Sequence, residues 1–150
     1  MSDFDIRPAV AGDLGDIVDM LADDPLGARR ESPDDLAPYR AAFEEIAADP
    51  RQNLVVAVRD GRVVGTLQLT VIPGLSRRGA SRALIEAVRV RSGERGGGLG
   101  TRLVQWAVEE ARRQGCALVQ LTSDATRTEA HRFYGRLGFV ASHVGFKLAL

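Results

Sequence analysis

At 150 residues, 45% of them hydrophobic, the chain has enough apolar material for one core and is expected to form a single domain over 1–150. Its 20 Lys and Arg balance 20 Asp and Glu, and a formal net charge of zero excludes the strong positive field behind nonspecific nucleic-acid or membrane-surface binding. A lone Cys116 excludes an intrachain disulfide, and no apolar run approaches the ~20 residues of a membrane span.

Met1-Ser2-Asp3-Phe4-Asp5 lacks the basic and apolar regions of a secretory leader, so a cytoplasmic location is expected. Ile6 to Ala9 reads as a short strand, and Leu14, Ile17, Val18 and Leu21 mark one face of a first helix. Ser32-Pro33-Asp34-Asp35 is expected to start a second helix, with Ser32 as its cap; Leu36, Tyr39, Phe43 and Ile46 carry it until Pro50. Leu54 to Val58 and Val63 to Ile72 flank an Asp60-Gly61 turn and predict a hairpin, and Ala83 to Val90 adds another strand. Leu103, Val104, Ala107, Val108 and Ala111 then recur at helical spacing up to the stop at Gly115. A strand over Ala117–Thr122, a short helix over Ala130 to Phe139 and a closing strand pair over Phe139 to Leu150 complete the series. Cys116 heads the apolar run and reads as a packing residue.

Between the Ala83–Val90 strand and the long helix lies Arg95-Gly96-Gly97-Gly98-Leu99-Gly100-Thr101. Glycines leave backbone N–H groups bare, and a helix start aims them at an anion, which makes this stretch a candidate phosphate cradle. It is no nucleotide P-loop, because Leu99-Gly100 stands where Lys and Ser/Thr are needed, and the third glycine of the dinucleotide pattern is missing. What remains is R-x-x-G-x-G, preceded by Ile85-Glu86-Ala87-Val88-Arg89-Val90. Strand, helix and strand from Ala83 through Thr122 require a parallel crossover, while the hairpins require antiparallel pairs. A mixed α/β sheet with flanking helices follows.

The R-x-x-G-x-G loop after its strand resembles the acetyl-CoA motif of the GNAT superfamily of N-acetyltransferases. The later string A-x-x-F-Y-x-x-L-G-F, Ala130 to Phe139, resembles the superfamily's last motif. The resemblance implies a mostly antiparallel sheet with one splayed parallel strand pair, and acetyl-CoA as co-substrate without a metal. It implies that Arg95, Gly96, Gly97, Gly98, Leu99, Gly100 and Thr101 hold the pyrophosphate, and that the backbone of Val88, Arg89 and Val90 pairs with the pantetheine amides. Where many relatives carry Asn before the last motif, this chain has Arg127, which the resemblance places at the CoA ribose phosphate. Homodimers are frequent in the superfamily, and Phe139 to Leu150 offers an edge for one.

Acetyl transfer from a thioester to an amine needs a neutral amine, a stabilised carbonyl oxygen and a departing thiolate. The resemblance puts Glu86 in the role of base acting through water and Tyr134 in that of acid; an arginine-paired Glu86 and a packing Tyr134 are the structural alternatives. His131 and His143 lack neighbours at ligand spacing. For the acceptor, the signals diverge. Asp23 to Asp49 holds eight acids against three arginines, a net of −5 suited to a cationic amine, while Ser76-Arg77-Arg78-Gly79-Ala80-Ser81-Arg82 suits an anion. The expected activity is acetylation of a small-molecule or peptide amine; the rival is a noncatalytic acyl-CoA-binding domain.

Overall fold

The computed structural model describes residues 4–150; Met1, Ser2 and Asp3, part of the stretch read above for a leader, lie outside them. The chain divides into two compact units, one ending at Gln120 and one spanning Leu121–Leu150. In chain order the elements are β1 (Asp5–Pro8), a 3-10 turn (Ala11–Asp13), α1 (Leu14–Ala22), α2 (Gly27–Arg30), α3 (Ala37–Ala48), β2 (Gln52–Arg59), β3 (Arg62–Ile72) and the one-turn α4 (Ser76–Gly79). There follow β4 (Arg82–Val90), a 3-10 turn (Ser92–Glu94), α5 (Leu99–Arg113), β5 (Leu118–Leu121) and α6 (Thr128–Arg136). No helix among the described residues is long and apolar enough to cross a membrane.

The sheet order is β1-β2-β3-β4-β5. The first four strands are antiparallel neighbours, and β5 lies parallel to β4 after the crossover through α5, giving the expected mixed sheet. Asp60 and Gly61, with φ of 51° and 74°, form the hairpin turn that suits the twist of β2 and β3. One face of the sheet carries α1: Ile17 and Met20 pack on Val56 and Val63. The other face carries α5, whose buried Leu99 and Leu103 lie over Gly65. A Cβ at Gly65 would stand 2.9 Å from Leu103 Cδ1, so the missing side chain is what lets the helix close on the sheet.

An irregularity in β4 shapes everything beyond it. Gln68 pairs with Glu86 and Thr66 with Arg89, so Leu67 alone faces Ala87 and Val88. Two residues against one make a β-bulge, and Ala87 takes its extra position in the left-handed region at φ 55°.

Two expectations need correction, and α2 was not expected. Ser32 does not cap the second helix; Ser32 and Asp35 close a turn, Asp35 Oδ1 accepts the Ala37 N–H, and α3 starts at Ala37 with Pro38 in its first turn. The short α2 had no periodic signal because its four residues span one turn only. Residues 139–150 form no strand pair, although their alternation is strand-like. Val144, Phe146 and Leu148 are exposed at 79%, 94% and 87%, and alternation without a ladder partner does not make a strand. In this second unit Tyr134 packs edge-on against Phe133 and Phe139, at centroid distances of 5.1 and 5.9 Å.

Candidate active site

The glycine loop is built as a concave backbone surface. Gly96 and Gly98 adopt φ of 86° and 81°, which an L side chain resists, and the space where either Cβ would stand is open. Gly98 is the N-cap of α5, and the first-turn N–H groups of Leu99, Gly100 and Thr101 lack carbonyl partners within the helix. The positive end of a fifteen-residue helix dipole adds to them. Such a start fits a pyrophosphate.

Arg95 has more than one task. Its guanidinium reaches the carbonyls of Val90 and Asp23 at 3.3 and 3.4 Å and the Asp23 carboxylate at 3.6 Å, so it ties the end of β4 to the end of α1. Two further pairs join the same region to the β4 end: Arg91 with Asp16, in the first turn of α1, at 3.0 Å, and Arg89 with Asp24, just past α1, at 3.3 Å. Burial works to raise the Asp24 pKa, but the N–H groups of Gly27 and Leu26 and the charges of Arg89 and Arg30 hold it below the usual carboxylate range. Sequence reasoning counted Asp23 and Asp24 toward an acidic acceptor wall; the structure spends both on arginines of the β4 end. Nothing in their spacing announced this, because the partners are more than sixty residues apart.

Val88, Arg89 and Val90 follow the bulge directly. β5 has four residues against nine in β4 and joins it at the other end, where Ala117 N–H bonds the Ser81 carbonyl at 2.8 Å. It is too short to match the whole of β4, and Val88–Val90 lie beyond its four residues. Glu86 stands before the bulge, exposed and without an ion-pair or hydrogen-bond partner among the described residues. Its cross-strand neighbour is Gln68. A cavity of about 190 Å³ opens between α1, α3 and this face of the sheet, with Gln68 and Ala87 on its sheet side. A larger cleft of about 610 Å³ beside Arg91–Glu94 is also lined by Asp19, Asp23 and Arg62; of its charges, Arg91 pairs with Asp16, Asp23 with Arg95 and Glu94 with Arg59.

The remaining residues singled out in the sequence belong to the second unit. Arg127 is the exposed N-cap residue of α6, and Tyr134 lies half-buried in that helix. His131 Nε2 meets the Asp124 carbonyl at 2.9 Å and His143 Nδ1 the Ser142 hydroxyl at 2.6 Å. No group of three or more His, Cys, Asp or Glu able to hold a metal occurs among the described residues. Cys116 is half-buried rather than buried, and burial pushes its thiol up, away from the thiolate that a nucleophile needs.

Residues 15–139 match the acetyltransferase (GNAT) family. The chain belongs to that family. This GNAT protein is 36% identical over 116 residues to the aminoalkylphosphonate N-acetyltransferase of Salmonella typhimurium, a match covering 77% of this chain and 75% of that one. It is 35% identical to the glucosamine 6-phosphate N-acetyltransferase 1 of rice, over 71% of this chain and 64% of the relative, slightly under two thirds of its length. Among solved structures, a transcriptional regulator from Bacillus halodurans superposes with a TM-score of 0.95 at 47% identity, covering 98% of this chain and 99% of that one. The GNAT family uses acetyl-CoA as co-substrate, and this chain is an N-acetyltransferase of it.

Proposed function

We propose that the chain, acting as one catalytic domain, transfers the acetyl group of acetyl-CoA to the primary amine of a small molecule. The observation that carries the acetyl-CoA half is the pairing of the left-handed Gly96 and Gly98 with the start of α5, directly after the bulged end of β4. Both curated relatives are named for small amines, which favours a small-molecule acceptor over a protein amine.

In this reading Glu86 takes a proton from the incoming ammonium, directly or through water. The nitrogen lone pair forms the new amide bond, the carbon–sulfur bond breaks with its electrons passing to sulfur, Tyr134 protonates that thiolate, and the second proton shed by the attacking nitrogen returns to the Tyr134 oxygen through solvent. The net change is ammonium plus thioester to amide, thiol and one proton. Backbone N–H groups at the bulge polarise the carbonyl oxygen. Arg95 and Arg127 add positive charge for the phosphates of CoA.

The test is thiol release from acetyl-CoA with a panel of small amines that includes an aminoalkylphosphonate and glucosamine 6-phosphate. Amine-dependent release supports the reading. Acetyl-CoA binding with no release for any amine counts against it.

A further inference from the structure

The cavity of about 190 Å³ beside the bulge is lined by no residue of the glycine loop or of Val88–Val90. Its walls are mainly hydrocarbon, including Ile17, Leu21, Phe43, Ile46 and Leu54. The few polar groups in those walls are already spent, with one exception. Thr66 Oγ1 donates to the Val55 carbonyl at 2.8 Å, and the Tyr39 hydroxyl donates to Glu31 at 2.8 Å while accepting the Ser32 N–H at 2.9 Å. Gln68 Nε2 donates to Gln52 Oε1 at 2.8 Å, and Thr70 Oγ1 donates to the same oxygen at 2.8 Å. Two donors on Gln52 Oε1 hold the Gln68 amide with its nitrogen turned away, leaving Gln68 Oε1 without a partner among the described residues.

Glu86 is the direct cross-strand partner of Gln68, so both side chains leave the same face of the sheet, with Cβ atoms roughly 5 Å apart. An amide oxygen and a carboxylate, both acceptors, therefore stand side by side next to a hydrocarbon cavity. Their complement is a group with several N–H donors mounted on an apolar body.

We infer that this cavity binds the hydrocarbon body of the acceptor, an alkyl or arylalkyl primary amine, with Gln68 Oε1 accepting one amine N–H beside Glu86. The inference rests on the acetyltransferase reading above. A 150 Å³ apolar cavity holds a molecule the size of benzene, so this one holds roughly seven carbons. Gln68 selects the amine and aims its lone pair; the cavity selects the body.

The experiment measures kcat/KM for linear primary amines from methylamine to decylamine at saturating acetyl-CoA, by thiol release. The expected result is a rise of about fourfold per added methylene, the transfer free energy of a buried CH₂, up to roughly seven carbons and no further. Ala42→Leu extends a side chain into the cavity from the outer helix α3, and moves the break to chains shorter by about three carbons. Gln68→Leu raises KM for every amine by roughly threefold to tenfold, the loss of one hydrogen bond, with KM for acetyl-CoA unchanged, and Gln68→Glu restores it. Retained thermal stabilisation by acetyl-CoA shows that each variant is folded. A series flat in chain length, or a break that Ala42→Leu leaves in place, overturns the inference while the acetyltransferase reading stands. Absence of thiol release with every amine of both panels overturns the two together.

Discussion

Asp24 holds two parts of the site at once: one carboxylate oxygen accepts the Gly27 N–H at 2.5 Å, and the other lies 3.3 Å from the Arg89 guanidinium just past the bulge. The first contact closes the turn into α2, where a Cβ on Gly27 would sit 1.8 Å from the Leu21 carbonyl oxygen. Asp24→Ala is expected to cost about 1–3 kcal/mol, a lost cap plus a loosened charge pair, and to raise KM for acetyl-CoA. Urea unfolding reads the first effect and steady-state kinetics the second. An unchanged midpoint would remove Asp24 from this role.

Asp13 supplies a pH-dependent term far from the chemistry. Arg7 donates to both of its oxygens, at 2.8 and 3.1 Å, and the Val10 N–H adds a third bond at 2.8 Å. The Arg7 hydrogen bonds, against the opposing effect of burial, hold its carboxyl below the usual range. A depressed folded-state pKa gives stability that is complete above the unfolded pKa of about 4 and is lost as pH falls through the folded value. Asp13→Asn should thus be less stable than the parent at pH 7, by about 1.5–3 kcal/mol, with the gap narrowing below pH 4. Thermal melts across pH check this.

Acetyl-CoA at a hundred times its Kd is expected to raise Tm by about 5 to 10 °C, from ~2.7 kcal/mol of linkage in a 150-residue chain. Gly98→Val should abolish the shift, because φ of 81° forbids a β-branched residue and the loop must change shape. A folded Gly98→Val variant with unchanged acetyl-CoA affinity would remove the cradle from the site.

Glu86→Gln should slow turnover most at pH values below the pKa of the amine and recover part of the loss as pH rises. Solution hydroxide then supplies the neutral amine that the carboxylate otherwise provides, at ~1.4 kcal/mol per pH unit. The ratio of mutant to parent rates is measured across pH with chemistry rate-limiting. A flat ratio assigns Glu86 to structure.

Tyr134→Phe keeps the ring that packs against Phe133 and Phe139 and loses only the hydroxyl. As general acid, Tyr134 should lose roughly 10²- to 10⁴-fold in kcat, with KM for acetyl-CoA unchanged. Rates equal to the parent would return it to packing.

Where helix periodicity or a tight turn dictated local structure, sequence and structure agree: the α5 face, the Asp60-Gly61 turn and the β4–loop–α5 passage were all legible. The bulge was not. Ala87 carries no glycine or proline to mark a left-handed residue, and its conformation is imposed by the mismatch of β3 and β4. The three aspartate–arginine ties between α1 and the end of β4 were equally hidden, since charge counts along the chain ignore partners distant in sequence. Gln68 carries no sequence signal of its own, because its amide is fixed by Gln52 across the β2–β3 hairpin.

The extra residue in β4 has a consequence for how this chain tolerates change. Before it, Glu86 shares a face with Gln68; after it, Arg89 shares that same face with Thr66, three positions on rather than two or four. Deleting Ala87 would restore a regular ladder and, with Val88–Val90 anchored by the loop, rotate Arg82 through Glu86 by half a turn. Glu86 would then point toward the side covered by α5, and the buried Ile85 would point away from it. Substitution at position 87 changes a side chain, whereas deletion exchanges inside for outside along half a strand. The constraint at this point of the protein is on the count of residues before it is on their kind.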